Sequence, residues 1–168
     1  MSLQTDIAVN VAAAYQAALD LTTPIAAHAI KNALSLSSGT GNGQADLVFS
    51  DTRTIAASSS ENLDLAGVLA DAFGATLTFV KIKAIYIKAA AGNTNDVVVG
   101  GAASNGFVNW VADTTDKINI RPGGVFLLVD PQGSGYAVTA STGDILKVAN
   151  SGGTTGVTYD IVIIGTSA

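Results

Sequence analysis

Cysteine is absent from the 168 residues, and histidine, glutamate, methionine and tryptophan occur once each. Without cysteine no disulfide can staple the fold, and no thiolate can serve as nucleophile or metal ligand. The lone histidine, His28, would need further His or Cys ligands to hold a metal. As the base of a Ser-His-Asp triad it would need an activated serine, and the sequence contains no Gly-x-Ser-x-Gly elbow. A single glutamate, Glu61, among dispersed aspartates gives no paired-carboxylate signal for glycoside hydrolysis. The expectation is a chain without catalytic, cofactor or metal site. Charge is scarce too: 12% of residues are charged, against about 25% in an ordinary soluble domain. The 13 acidic and 8 basic residues leave a net charge of -5, and the basic ones are scattered, so no nucleic-acid partner is expected. Long apolar runs are missing as well. Residues 7–19 are uncharged but shorter than the roughly 20 apolar residues of a membrane helix, and they include Asn10 and Gln16. No membrane partner is expected, and Met1-Ser2-Leu3-Gln4-Thr5-Asp6 has no positive region of the kind that opens a secretory signal. The chain is expected to begin near Met1 and to stay in the cytoplasm where it is made.

What is present is apolar and small. Hydrophobic residues make up 48% of the chain, glycine accounts for 18 positions, and mean hydropathy is +0.42. Disorder, which requires low hydrophobicity and high net charge, is excluded. A chain of this length defaults to one domain that buries roughly 70% of its unfolded surface and needs no staples.

From about residue 45 the pattern has period 2 with turn punctuation, the signature of β-strands. Strands are predicted over residues 46–55, 77–89, 96–100, 117–121, 125–129, 136–140, 145–149 and 157–164. In the second of these, Val80, Ile82, Ala84, Tyr86 and Lys88 share one face and Phe79, Lys81, Lys83, Ile85 and Ile87 the other. Both faces are partly apolar, which predicts a central strand covered on each side; Lys81, Lys83 and Lys88 read as solvent-facing. Gly-rich or Pro-Gly turns separate the strands at residues 91–93, 121–124, 131–135 and 151–153. Asp96, Asp116, Asp144 and Asp160 each stand before an aliphatic run and read as turn-forming groups that satisfy local amides. Repeated short hairpins predict an all-β fold, a β-sandwich of jelly-roll type, over residues 37–168.

Residues 1–36 form a separate N-terminal arm with two readings. Ile7, Val11, Ala14, Tyr15 and Ala18 fit a helical face, and alanine favours helix. Ile7, Val9, Val11, Ala13 and Tyr15 also alternate, and residues 29–36 look like a short strand. An arm that pairs with a neighbouring subunit would explain an apolar segment the sandwich does not need, which makes Ile7, Val11 and Tyr15 candidate subunit contacts. Gly39-Thr40-Gly41-Asn42-Gly43 lacks the following Gly-Lys-Ser/Thr and helix of a phosphate-binding loop. Asn93-Thr94-Asn95-Asp96 lacks the spacing of a calcium loop and reads as a turn. Phe107 and Trp110, in a linker between strands, are either core anchors or further subunit contacts, since loop aromatics are enriched at interfaces.

Several runs resemble small structural proteins of tailed bacteriophages and prophages. They are Gln44-Ala45-Asp46, Asp64-Leu65-Ala66-Gly67 with Asp71-Ala72-Phe73-Gly74, Val97-Val98-Val99-Gly100-Gly101-Ala102, Arg121-Pro122-Gly123-Gly124-Val125, Gly143-Asp144-Ile145-Leu146-Lys147-Val148-Ala149-Asn150 and Val157-Thr158-Tyr159-Asp160-Ile161-Val162-Ile163-Ile164-Gly165. The resemblance covers residue 44 to the end and rests on the order of these pieces. It implies a virion component assembled in the host cytoplasm, foremost a capsid decoration or cement protein. That component would be a homo-oligomer, with a trimer favoured, bound to the major capsid protein or other virion proteins. The alternative is a tail or fibre module that recognises a host surface ligand through exposed aromatics such as Trp110, Tyr136 or Tyr159.

Overall fold

The structure, a computed structural model, describes residues 2–168, and among them there are twelve β-strands and no helix. In chain order they are β1 (Thr5–Gln16), β2 (Ile25–Ser38), β3 (Gln44–Ala45), β4 (Leu47–Ile55), β5 (Ser60–Asp64), β6 (Lys81–Ala89), β7 (Val97–Gly100), β8 (Lys117–Ile120), β9 (Val125–Val129), β10 (Tyr136–Ala137), β11 (Ile145–Asn150) and β12 (Val157–Thr166). Strands β4 to β12 build two facing sheets. One has the order β10-β6-β12-β4 with β9 also on β6, and the other has the order β5-β11-β7-β8. The antiparallel pairs β4·β12, β5·β11, β6·β9 and β7·β8 are nested one inside the next along the chain. An antiparallel ribbon of this nesting, rolled so that its strands alternate between two sheets, is the jelly roll.

Alternation puts one side of every strand between the sheets. Phe49, Ile85, Ile87, Val97, Val99, Leu146, Val148, Ile161 and Ile163 meet there in one continuous core. Strand β6 is central, between β12 and β9, as its two apolar faces predict. Its facing is not the simple alternation of the sequence, however. Ile82 points into the core and so do Ile85 and Ile87, because the register against β12 slips between Ile164 and Gly165. The extra residue is Lys83, at a β-bulge, which changes the face of every residue after it. Lys83 is therefore fully buried, not solvent-facing. Its Nζ donates to the Gln132 carbonyl under the 130–135 loop. Burial holds its pKa below the ordinary lysine value, against the pull of Asp130 and with a small further depression from Lys81. Gly165 is required opposite: a Cβ there would come within 2.3 Å of the Lys81 carbonyl oxygen and 2.6 Å of the Phe79 ring.

Two other strands differ from the alternation. Residues 77–80, expected to open β6, stay outside it and bond singly to Leu69, Leu65, Thr166 and Val138 instead of joining a ladder. Strand β5 carries Ser60, Glu61, Asn62 and Asp64, a polar composition suited to an edge, and its pattern alone does not announce a strand. Asp116 and Asp144 accept amide hydrogen bonds from Asp113 and Ser141, the turn role expected of them. Asp160 lies inside β12 and accepts instead from Thr52 across the sheet, at 2.7 Å.

The loops at one end of the sandwich are tied by Asn150. Its buried Nδ2 donates to the carbonyls of Thr155 (2.7 Å) and Ala56 (3.2 Å), and its Oδ1 accepts from Gly152 N. Asn150→Ala would leave these buried groups without partners. A loss of about 1–3 kcal/mol is expected, read as a lower urea midpoint with an unchanged slope.

Candidate functional site

Residues 5–38 resolve the choice between helix and strand. β1 and β2 form an antiparallel hairpin paired in unbroken register from Thr5↔Leu36 to Gln16↔Ile25. Alanine's helix preference is overridden because the alternating apolar residues can be matched across strands and anchored at the base. The register divides the ribbon into two faces. One carries Ile7, Val9, Val11, Ala13 and Tyr15 with Leu34, Asn32, Ile30, His28 and Ala26; the other mixes six alanines with Asp6, Asn10, Gln16, Ile25, Lys31 and Ser35.

At its base the first face packs on the molecule itself. Leu36 and Ala45 are buried against Ala84 and Ile164, with Leu3, Ile7, Leu34, Val48, Val129 and Val162 around them. These sandwich residues belong to the outer surface of the β4–β12–β6–β9 sheet, which the pairing registers arrange in rows. The first row, Val48, Ile164, Ala84 and Val129, lies under the arm base. The next, Ser50, Val162, Tyr86 and Leu127, is apolar at three of four positions. The third, Thr52, Asp160, Lys88 and Val125, is mostly polar. Between the arm base and the second row runs an open groove of about 470 Å³, walled on the sheet side by Val48, Tyr86, Leu127, Val162 and Ile164 and on the arm side by residues 3–8, Asp6 among them.

Beyond its base the ribbon touches nothing. Val11 is 58% exposed, Tyr15 79% and Ile30 70%, and Leu19, Leu21 and Ile25 are exposed near the tip. An isolated two-stranded hairpin is marginally stable in water. The whole chain exposes 9151 Å², whereas a folded monomer of 16.8 kDa should expose roughly 7,650 Å², an excess of about 1,500 Å². Strand β1 is also an edge: the sheet order is β1-β2-β3, so the outer side of β1 has no partner strand. Such an edge normally carries charge, proline or a bulge to block pairing. From Ile7 to Leu19 this one carries neither charge nor proline.

Of the residues expected at a contact, Val11 and Tyr15 are therefore on the exposed ribbon, and Ile7 sits half-buried at its base. Phe107 is 3% exposed and belongs to the sandwich core, so as the molecule stands it packs internally and presents no surface to a neighbour. Trp110 is half-buried on that core. Its ring centroid is 5.6 Å from that of Phe126, and its Nε1 donates to the Phe107 carbonyl at 2.9 Å. Two outward residues of this surface, Tyr86 and Leu127, were hidden in the sequence by strands that are apolar on both sides. The signal for Leu127 is β9 itself, Val-Phe-Leu-Leu-Val, five apolar residues in a row near a sheet edge.

The other motifs serve structure. The glycine-rich 39–43 loop is held by Gln44, whose Oε1 accepts from Gly41 N at 2.9 Å, and by the Gly43 amide bonded to the Pro131 carbonyl. Asn93 docks on β12 by bonding both the amide and the carbonyl of Thr158, each at 2.9 Å. His28 stands exposed on the arm. Among the described residues no group of three or more His, Cys, Asp or Glu side chains could hold a metal ion. In the 66–75 loop, Asp71 accepts the amides of Phe73 and Ala75, and Phe73 is turned outward, 80% exposed. Among the described residues no helix is long and apolar enough to cross a membrane. Comparison with known proteins finds no matching family model, no matching curated protein and no matching solved structure.

Proposed function

We propose that this protein is a structural component of a tailed-bacteriophage virion, a decoration or cement protein that assembles with copies of itself and binds the head shell. The observation that carries the reading is a self-contained jelly roll from which a long apolar ribbon projects with no partner in its own chain. An enzyme's working surface is a cleft with converging polar groups. This chain invests its unsatisfied surface in an edge and a ribbon, the surfaces that proteins use to join one another. The runs that resemble phage structural proteins fall on the framework: β3, β7, β11 and β12 and the turns after β5 and β8. A ligand of the assembled shell stabilises it by linkage, about 2.7 kcal/mol per site when present at a hundred times its dissociation constant. The exposed Phe73, held by its Asp71 turn, is a second rigid apolar point for a shell contact.

The tail or fibre reading rests on Trp110, Tyr136 and Tyr159, and these three support it less. Tyr159 is fully buried, and Trp110 and Tyr136 are half-buried on the core. Cryo-electron microscopy of purified virions separates the two. Hundreds of copies on the head, and shells that resist higher temperature when the protein is added back, are the expected result. Density confined to the tail would transfer the role to recognition.

A further inference from the structure

We infer that the apolar groove at the base of the arm receives the arm of a second copy of this chain. The contact is directional: the ribbon of one protomer lies on the outer sheet face of the next, beside that protomer's own arm base.

Three observations name the occupant. First, the ribbon face that points outward at Val9, Val11, Tyr15 and Ile30 is the same face that, through Ile7, Leu34 and Leu36, already packs on this sheet surface. The chain thus carries a sheet-binding face about twice as long as its own sheet uses. Second, the next row, in which Val162 and Tyr86 are half-buried and Leu127 is 36% exposed, continues the first row that such a face covers, and it ends where Thr52, Asp160 and Lys88 begin. The apolar strip therefore has room for one more ribbon and then stops. The free edge of β1, whose one charge is Asp6, forms the groove's other wall at residues 5–8, so an incoming strand can pair with its backbone while its side chains meet the sheet.

Third, the areas agree. A standard interface buries about 800 Å² on each partner. A protomer that gives one arm and receives one takes part in two such contacts, so it should hide about 1,600 Å². The surface excess over an ordinary monomer is about 1,500 Å². Head-to-tail contacts of this kind close into rings when the rotation allows it, which accommodates a trimer.

The test compares the full chain with Leu127→Arg on the sheet and Val11→Asp on the arm by sedimentation velocity. Both positions are exposed in the protomer, at 36% and 58%, so thermal unfolding followed by circular dichroism should stay close to that of the parent. The parent should sediment as a multiple of 16.8 kDa, and each variant should associate at least about tenfold more weakly. Mixing the two variants leaves one intact arm facing one intact groove and should give a heterodimer that grows no further. Because the chain has no cysteine, Val11→Cys and Leu127→Cys placed in separate chains should be joined by a short bismaleimide. A monomeric parent, or association unchanged in Leu127→Arg, would overturn the inference. So would cross-linking of Val11→Cys chains chiefly to each other, or an intrachain bond in the double-cysteine chain. The virion reading is tested apart from this: a protein found on heads yet monomeric in solution sinks the arm exchange alone, and an arm-exchanged oligomer found on no virion sinks the virion role alone.

Discussion

Joining Ala8 directly to Ala33 through an Asn-Gly turn, with Val9 to Asn32 removed, should leave a folded jelly roll that no longer self-associates. Ala8 and Ala33 face each other in the β1·β2 ladder, and Asn-Gly is the two-residue turn whose twist fits such a hairpin. The shortened arm keeps Leu3, Ile7, Leu34 and Leu36, the residues that cover Ala84 and Ile164. It loses the face and the free edge that have no partner in the protomer. Thermal stability should therefore change little, while sedimentation collapses to the protomer and binding to shells is lost. Deleting residues 1–36 outright is a different experiment. It uncovers Ile164 and Ala84, now 7% and 2% exposed, and removes Leu36, so a loss of about 2–4 kcal/mol is expected alongside the loss of assembly. An unchanged sedimentation mass after shortening would take the arm out of the assembly altogether.

How far the sequence leads depends on whether a feature is local. Strand β9, a continuous apolar run, is predicted residue for residue, and β4, β7, β8, β11 and β12 are predicted within two residues at each end, since strand patterns and turn punctuation follow from local geometry. The bulge at Lys83 is not local. It exists because β12 brings Gly165 against Lys81 from the far end of the chain, and no pattern in residues 79–88 alone reveals that slip. The arm was undecided for a related reason: Ala-rich segments satisfy both periods, and the anchoring of Leu34 and Leu36 on a distant sheet face selects the strand. At the candidate site, Val11 and Tyr15 were readable as an apolar face in search of cover. Tyr86 and Leu127 were not, because a strand that is apolar on both sides does not say which side meets its own core. Nothing local marks Glu61 as inward-facing, because it stands on a polar segment.

Glu61 instead faces inward, and its removal should be among the costliest single changes in the chain. On β5 it pairs across with Val148, whose side chain is in the core. Its Oε1 accepts from the buried Tyr159 hydroxyl at 2.8 Å, and its Oε2 meets Arg53 Nε at 2.6 Å. Arg53 in turn reaches Asp51 at 2.8 Å. Arg53 and Tyr159 belong to one sheet and Glu61 to the other, so the chain of contacts closes the sandwich between its two edge strands, β4 and β5. The ion pairs are partly exposed and contribute little by themselves. The larger cost comes from the hydroxyl of the fully buried Tyr159, which loses its partner. Glu61→Ala should therefore lose about 2–3 kcal/mol, more than Tyr159→Phe, which removes the buried hydroxyl together with its need for a partner. Alkali gives a second readout. Burial first, then the hydrogen bond and charge of Glu61, raise the Tyr159 pKa far above its ordinary 10.0. Above about pH 10 the unfolded chain releases this proton while the folded one keeps it, so stability present below that pH is lost as pH rises, by up to about 1.4 kcal/mol per unit. Lys83 acts in the opposite sense, its depressed pKa adding stability as pH climbs toward 10.5. Comparing the parent with Tyr159→Phe in urea titrations from pH 9 to 11.5 cancels that contribution. The expected outcome is an advantage of the parent over the variant that is constant to about pH 10 and shrinks beyond it. A constant difference across the range would mean that the hydroxyl ionises as freely in the folded protein as in the unfolded chain, and the network would not close the sandwich as drawn.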